Sequence, residues 1–189
     1  IHKTTRSILS VLLAALLLVT SVPLTLRLLV MGGGSFLQSE SGEGRALEPA
    51  ADGKYYISTA EELREFAQRV NNGELADANA VLTDDIDLSS VCGPELNDET
   101  SWEPIGNSES TAYSGTFDGA NYTISGLYID SNADYQGLFG FVGSEGTVQN
   151  LSVSGSVSGN NYVGGVVGDN RGSVEDCDFT GSVTGTVDY

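Results

Sequence analysis

From Gly146 onward apolar and polar side chains alternate with the two-residue period of a β-strand, and the alternation itself repeats. Gly146-Thr-Val148-Gln-Asn150-Leu151-Ser-Val153-Ser-Gly155-Ser-Val157-Ser-Gly159 matches Gly172-Ser-Val174-Glu-Asp176-Cys177-Asp-Phe179-Thr-Gly181-Ser-Val183-Thr-Gly185 without a gap, at an offset of 26 (Gly172 against Gly146). A fainter copy, Thr123-Ile124-Ser-Gly126-Leu127-Tyr-Ile129, precedes the first at an offset of 24 (Val148 against Ile124). A period in the twenties, built of short alternating segments and glycine, marks a solenoid whose units stack like coils.

Within each unit the pairs Leu127/Ile129, Leu151/Val153 and Cys177/Phe179 fall on one strand face, and Tyr128, Ser152 and Asp178 on the other. Gly126, Asn150 and Asp176 are residue types that tolerate a left-handed backbone, so this position is expected to be a shared corner. Stacking the three copies predicts three interior ladders: Ile124/Val148/Val174, Leu127/Leu151/Cys177 and Ile129/Val153/Phe179. The expected fold class is all-β, a parallel β-helix over residues 81–189 with an N-terminal capping α-helix.

That helix is read from Thr59-Ala-Glu-Glu62, a capping box, followed by Leu63, Phe66, Ala67 and Val70 at helical spacing and ended by Asn71-Asn72-Gly73. Residues 55–80 are thus a cap, with Leu63, Phe66 and Val70 expected to cover the first coil near Val81 and Ile86. Ala80-Val81-Leu82 and Ile86-Asp87-Leu88 read as the first coil's strands, and Cys92 to Ala112 as a loop or lateral insertion.

Charge and composition add the setting. All 26 acidic residues lie at or after Glu40, and the formal net charge is −18. Arg171 is the only basic residue after Arg69, so no phosphate-binding stripe can be assembled and nucleic acid is not an expected partner. A basic stretch, His2 to Arg6, precedes the uncharged run Ser7 to Leu26. Residues 1–35 are therefore expected to be a signal peptide or membrane anchor, the only route to a membrane, and the Gly/Ser-rich residues 36–54 a flexible linker. Starting with Ile and stopping in mid-repeat, the sequence reads as part of a longer chain.

Ile57-Ser-Thr-Ala-Glu-Glu-Leu63, Asp85-Ile-Asp-Leu88, Trp102-Glu-Pro-Ile-Gly106, Phe117-Asp-Gly119, Tyr122-Thr-Ile-Ser-Gly-Leu127 and Gly137-Leu-Phe-Gly140 resemble bacterial GLUG-motif surface proteins over about residues 55 to 189, with Gly165-Val-Val-Gly168 as a variant copy. The resemblance implies a β-helical repeat, adhesin-like roles on large secreted or wall-attached proteins, and occasional attachment to extracellular peptidases. It implies no catalytic positions. A right-handed coil is expected by analogy and from the usual hand of parallel crossovers.

The search for chemistry agrees. The sole histidine is His2, which leaves no Ser-His-Asp triad, Cys-His pair or histidine-containing zinc site in the exported domain. Cys177 occupies an interior position and reads as a small buried hydrophobe, and Cys92 as a loop residue. Glycoside hydrolysis needs only two carboxylates at a set separation; Asp118, Asp134, Asp169 and Asp178 are the candidates, set against a simpler reading as solvated turn and strand positions. Asp84-Asp85-Ile86-Asp87 invites calcium but lacks any known loop pattern. Asn121 and Asn150 head glycosylation sequons, and Thr123, Thr147 and Ser173 align as outward hydroxyls. Tyr113, Tyr122, Tyr128, Tyr135, Tyr162 and Trp102 are the better lead, since exposed rings stack on sugars or pack on proteins. The expectation is a monomeric, extracellular or cell-surface, adhesin-like binding or spacer module, with a glycan or extracellular protein as ligand and no catalytic residue, metal or cofactor. The alternatives are a non-catalytic part of an extracellular peptidase and a carboxylate-dependent polysaccharide-degrading β-helix enzyme.

Overall fold

The computed structural model describes residues 46–96 and 100–186. The expected leader, the linker up to residue 45, and Tyr189 lie outside them. The element order is β1 (Tyr55–Ile57), α1 (Ala60–Asn71), β2 (Ala80–Leu82), β3 (Ile86–Asp87), β4 (Thr116–Asp118), β5 (Thr123–Asp130), β6 (Phe139–Val142), β7 (Thr147–Gly159), β8 (Val167–Asn170) and β9 (Ser173–Gly185), with short 3₁₀ turns at Leu88–Ser90 and Glu109–Thr111. The chain is mostly strand with a single α-helix among the described residues, in keeping with an all-β class.

The strands form two parallel sheets. One runs β1-β2-β4-β7-β5-β3 with β9 on β7, and the other pairs β6 with β8. Strand β7 is long enough to take two partners on one edge, β4 against its start and β5 against its later part, while β9 covers the other edge. The β7/β9 pairing keeps the 26-residue offset throughout, from Thr147 opposite Ser173 to Gly159 opposite Gly185.

Upstream, the predicted ladders are displaced. Val148 lies between Phe117 and Val174, not beside Ile124. Ile124 pairs with Ile86 and Val153, Leu127 with Gly155, and Ile129 with Val157. The offset between paired strands is 31 residues at Phe117/Val148, 29 at Ile124/Val153 and 28 at Ile129/Val157. Two local features produce this drift. Gly119-Ala120-Asn121 adds residues at the corner, where Ala120 (φ 50°) and Asn121 (φ 67°) sit beside Asn150 (φ 52°), and Asn121 N–H donates to the Asn150 carbonyl at 2.9 Å. The register then shifts again between Ile124 and Leu127, where Gly126 (φ 72°) bulges. Asn150 and Asp176 (φ 49°) do share the expected left-handed corner. Gly126 is left-handed too, but it lies over Asp87 and Ser89 and belongs to a different column. The expected hydroxyl column is likewise Thr116/Thr147/Ser173, with Thr123 opposite Ser152.

Helix α1 has the expected N-cap, Thr59, but Glu62 reaches one residue past it and does not close the capping box on Thr59 itself. Thr59 Oγ1 accepts from Glu62 N–H at 3.2 Å, and the Glu62 carboxylate reaches back to Ser58 N–H at 2.8 Å. Its buried face is Ala60, Leu63, Phe66, Ala67 and Val70. Phe66 lies among Tyr55, Tyr113 and Phe117 at centroid distances of 6.1, 6.0 and 6.2 Å, and Phe117 meets Phe139 at 5.1 Å. The helix therefore covers an aromatic spine; Val81, expected as its floor, is an outward position between buried Ala80 and Leu82. In the described part of the expected linker, Leu47 is buried, its N–H faces the Glu65 carboxylate, and its carbonyl accepts from Arg69 Nη1 at 2.7 Å.

The stretch read as a loop contributes to the core. Trp102 and Ile105 are buried, as is Tyr113 just beyond the stretch; Trp102 Nε1 donates to the Leu138 carbonyl at 3.2 Å, and Ile105 and Tyr113 bridge in parallel to Phe139 and Val142. Burial fades toward the last strand. Val174 and Val183, whose counterparts Val148 and Val157 are covered, are 37% and 45% exposed.

Candidate binding surface

The four candidate carboxylates are spread over the molecule, and each is held by its own partners. Asp118 accepts from Asn150 Nδ2 (3.0 Å), Ala120 N–H (2.8 Å) and Gln149 Nε2 (2.9 Å). Desolvation opposes its charge, but these hydrogen bonds outweigh it and hold the carboxyl below its usual range. Asp134 accepts from the backbone N–H and the side-chain amide of Asn161 and from Asn160 Nδ2, all at 3.0 Å. Its pKa is also lowered, first by the Asn161 N–H. Asp178 accepts from Ser152 Oγ at 2.6 Å, and Asp169 pairs with Arg171 at 3.6 Å. Most of these contacts join segments distant in sequence, and the depressed pKa of Asp118 and Asp134 is opposite to what a general acid requires.

The Asp84–Asp87 run is consumed in the same way. Asp84 Oδ1 accepts from Asp85 N–H, Asp85 Oδ1 from Thr123 N–H, and Asp87 Oδ1 caps the 3₁₀ turn through Ser89 N–H. Among the described residues no group of three His, Cys, Asp or Glu side chains is placed to hold a metal. Asn150 spends its amide on Asp118, so its sequon position is a structural one. The cysteines exchange their expected environments: Cys92 is buried with its thiol toward the Gly126 carbonyl, whereas Cys177, on the sparsely covered last strand, is half-buried. Burial pushes both thiols up.

Of the aromatic candidates, Trp102 and Tyr113 are core residues, and the Tyr113 hydroxyl donates to the Ala78 carbonyl at 2.8 Å. Tyr122 and Tyr128 are half-buried against the core. Tyr162 is 55% exposed, and Tyr56, which periodicity did not single out, is 42% exposed. Tyr162 belongs to a surface cluster. Its ring stacks on Tyr135 at 5.0 Å and 11°, Tyr135 meets Phe141 edge-on at 5.6 Å, and the Arg171 guanidinium lies 4.7 Å above Phe141. Arg171 also pairs with Glu109 at 2.9 Å and with Asp169. Tyr135 and Tyr162 occupy equivalent places in adjacent segments, since Gln136 and Val163, the next residues, bridge in parallel. Phe141 and Asp169 are likewise in register on β6 and β8. A groove is lined by Trp102, Asn107, Asp130, Asp134 and Gln136.

A family model described as the GLUG motif matches residues 159–184. That stretch holds the variant Gly165-Val-Val-Gly168 and lies downstream of Gly137-Leu-Phe-Gly140. Halomucin of Haloquadratum walsbyi is 36% identical over 138 residues, which is 71% of this chain and 2% of halomucin. A putative Gly-rich membrane protein of Evansella cellulosilytica is 32% identical over 143 residues, 73% of this chain and 16% of that protein. The chain thus spans a small part of either relative's length. No solved structure matches it. The chain is similar to GLUG-containing proteins, and its relatives are compatible with a surface-associated module; neither relative is named as an adhesin or a peptidase. Among the described residues no helix is long and apolar enough to cross a membrane.

Proposed function

We propose that the chain is an extracellular, surface-attached, adhesin-like binding or spacer module, without catalytic activity, whose two sheets are faces of one right-handed parallel β-helix. The observation that carries this reading is the constant 26-residue register of β7 and β9. Between them the chain leaves the first sheet at Gly159, crosses β8 at Val167–Asn170, and returns at Ser173 beside Thr147. Each circuit adds length and surface at the same pitch, as a spacer or a repeated display requires. The polar side chains best placed for chemistry serve coil-to-coil contacts instead, and similarity to a halomucin and a membrane protein supports a place at the cell surface.

The test is accessibility on intact cells producing the full-length protein. A non-permeant protease added outside is expected to remove an epitope inserted at the Asn107–Ser110 loop without lysis, and an epitope lost only after lysis would overturn the surface reading. Reducing sugar released from polysaccharide by the purified chain, and abolished by changing one of Asp118, Asp134, Asp169 or Asp178, would make it an enzyme.

A further inference from the structure

We propose that Tyr135, Tyr162 and Arg171 form a platform for a neutral glycan, the free face of the Tyr162 ring stacking on the apolar face of a pyranose, with Tyr135 backing it from behind, while Arg171, Asp169 and Glu109 hydrogen-bond its hydroxyls. The surface-module reading supplies the setting for this proposal, and the site's own geometry supplies its chemistry. Both tyrosines sit at positive φ, 60° and 56°. Bulky side chains adopt that conformation only where the surroundings impose it, and Gly or Asn meets it with less strain. Here the surroundings are rigid. Tyr135 N–H donates to the Asn161 carbonyl and Gln136 N–H to the Tyr162 carbonyl, each at 3.0 Å. Asp134 gathers both asparagines, and buried Gln136 donates from Nε2 to the Asp134 carbonyl at 2.7 Å. The turn needs a residue tolerant of left-handed backbone; stacking on Tyr135 accounts for one face of the Tyr162 ring, and core burial does not explain why the residue is left 55% exposed. In the sequence the motif recurs every 27 residues, as Asp134-Tyr135, Asn161-Tyr162 and Asp188-Tyr189, the last outside the described residues.

The polar half of the cluster selects the ligand. Arg171 is fixed over Phe141 and between two carboxylates, so its planar N–H groups are positioned but its charge is already balanced. Such a group offers donors beside acceptors, as sugar hydroxyls require, and holds no surplus charge for a phosphate, sulfate or uronate. The chain's net charge of −18 further disfavours polyanions. A cationic ligand would have to displace Arg171 from Glu109 and Asp169.

The experiment is an NMR titration of the ¹⁵N-labelled full chain with neutral hexasaccharides of glucose, galactose and mannose, and with a hexauronate and choline as competing ligand classes. At least one neutral hexasaccharide at millimolar concentration is expected to shift amides around Tyr135, Tyr162 and Arg171. Tyr162→Asn keeps a residue suited to the left-handed turn and removes the ring; it should weaken the interaction at least about tenfold with the rest of the spectrum preserved, whereas Tyr162→Phe retains it. Shifts confined elsewhere, shifts unchanged in Tyr162→Asn, a preference for hexauronate or choline, or no response to any neutral sugar would each overturn the platform. A matrix protein captured equally by immobilised arrays of wild-type and Tyr162→Asn chains would also overturn it while leaving the surface-module reading intact. The cell-accessibility test fails or succeeds independently of all these outcomes.

Discussion

Val148 shows how much one position in this fold depends on its neighbours. It has no exposed surface and lies between Phe117 and Val174 on the two flanking strands. Val148→Asp is expected to cost more than the ~1.5–3 kcal/mol that apolar burial supplies, because an unpaired carboxylate is buried as well. A melting temperature equal to that of the wild type would contradict the column. Asp118 and Asp134 make the opposite kind of contribution. Their folded-state pKa values lie below the ordinary carboxylate value of 3.8, so their stabilisation is present above it and lost as pH falls through the lower, folded values. This contribution to the thermal midpoint should therefore be lost as pH falls below 3.8, and Asp134→Asn should lower the midpoint at neutral pH while flattening this acid slope. A slope unchanged by that substitution would exclude Asp134 as a contributor. At this scale the sequence disclosed the inward residues of β7 and the left-handed Asn150 and Asp176, because period-2 alternation and side-chain type are local properties. It did not disclose which tyrosines are exposed. Tyr113 and Tyr162 look alike in sequence, and only the packing of Phe66 and Phe139 around Tyr113 separates them.

Among the elements, α1 was legible and β1 was not. A capping box and five apolar positions at helical spacing specify the helix, whereas Tyr55–Ile57 is too short for periodicity and owes its pairing to β2. The upstream registers were missed because residues inserted at a corner or a bulge leave alternation intact on either side. Phe66 has no exposed surface and touches three rings, so Phe66→Ala should cost about 3–5 kcal/mol, measured by denaturant unfolding. Removing residues 55–73 takes away both β1 and α1 and should cause aggregation on size-exclusion chromatography, while trimming residues 184–189 should do much less. Equal elution of the deleted and intact chains would remove the covering role of α1. A smaller change tests the β5/β7 contact. A methyl on Gly155 would run into the Leu127 carbonyl, so Gly155→Ala should lower the melting temperature, and an unaltered melt would mean the strands can part there without cost.

Across the whole molecule the charge is nearly all of one sign, with 26 acidic residues against 8 basic ones. Self-repulsion on this scale weakens a compact state and is screened as the Debye length falls from about 30 Å at 0.01 M to about 3 Å at 1 M salt. The melting temperature should rise between those concentrations; a fall would mean that the few ion pairs, such as Arg171 with Glu109, outweigh the repulsion. The register drift upstream of β7 has a different consequence. In a strictly periodic array a strand displaced by one full repeat meets almost the same side chains, so wrong alignments compete closely with the right one. The corner insertion at Ala120 and Asn121 and the bulge at Gly126 have no duplicates in β7 or β9, and they admit β7 in one alignment alone. They act as an index mark for the strands that follow, so the register of the regular repeats is inherited from the segment that resembles them least.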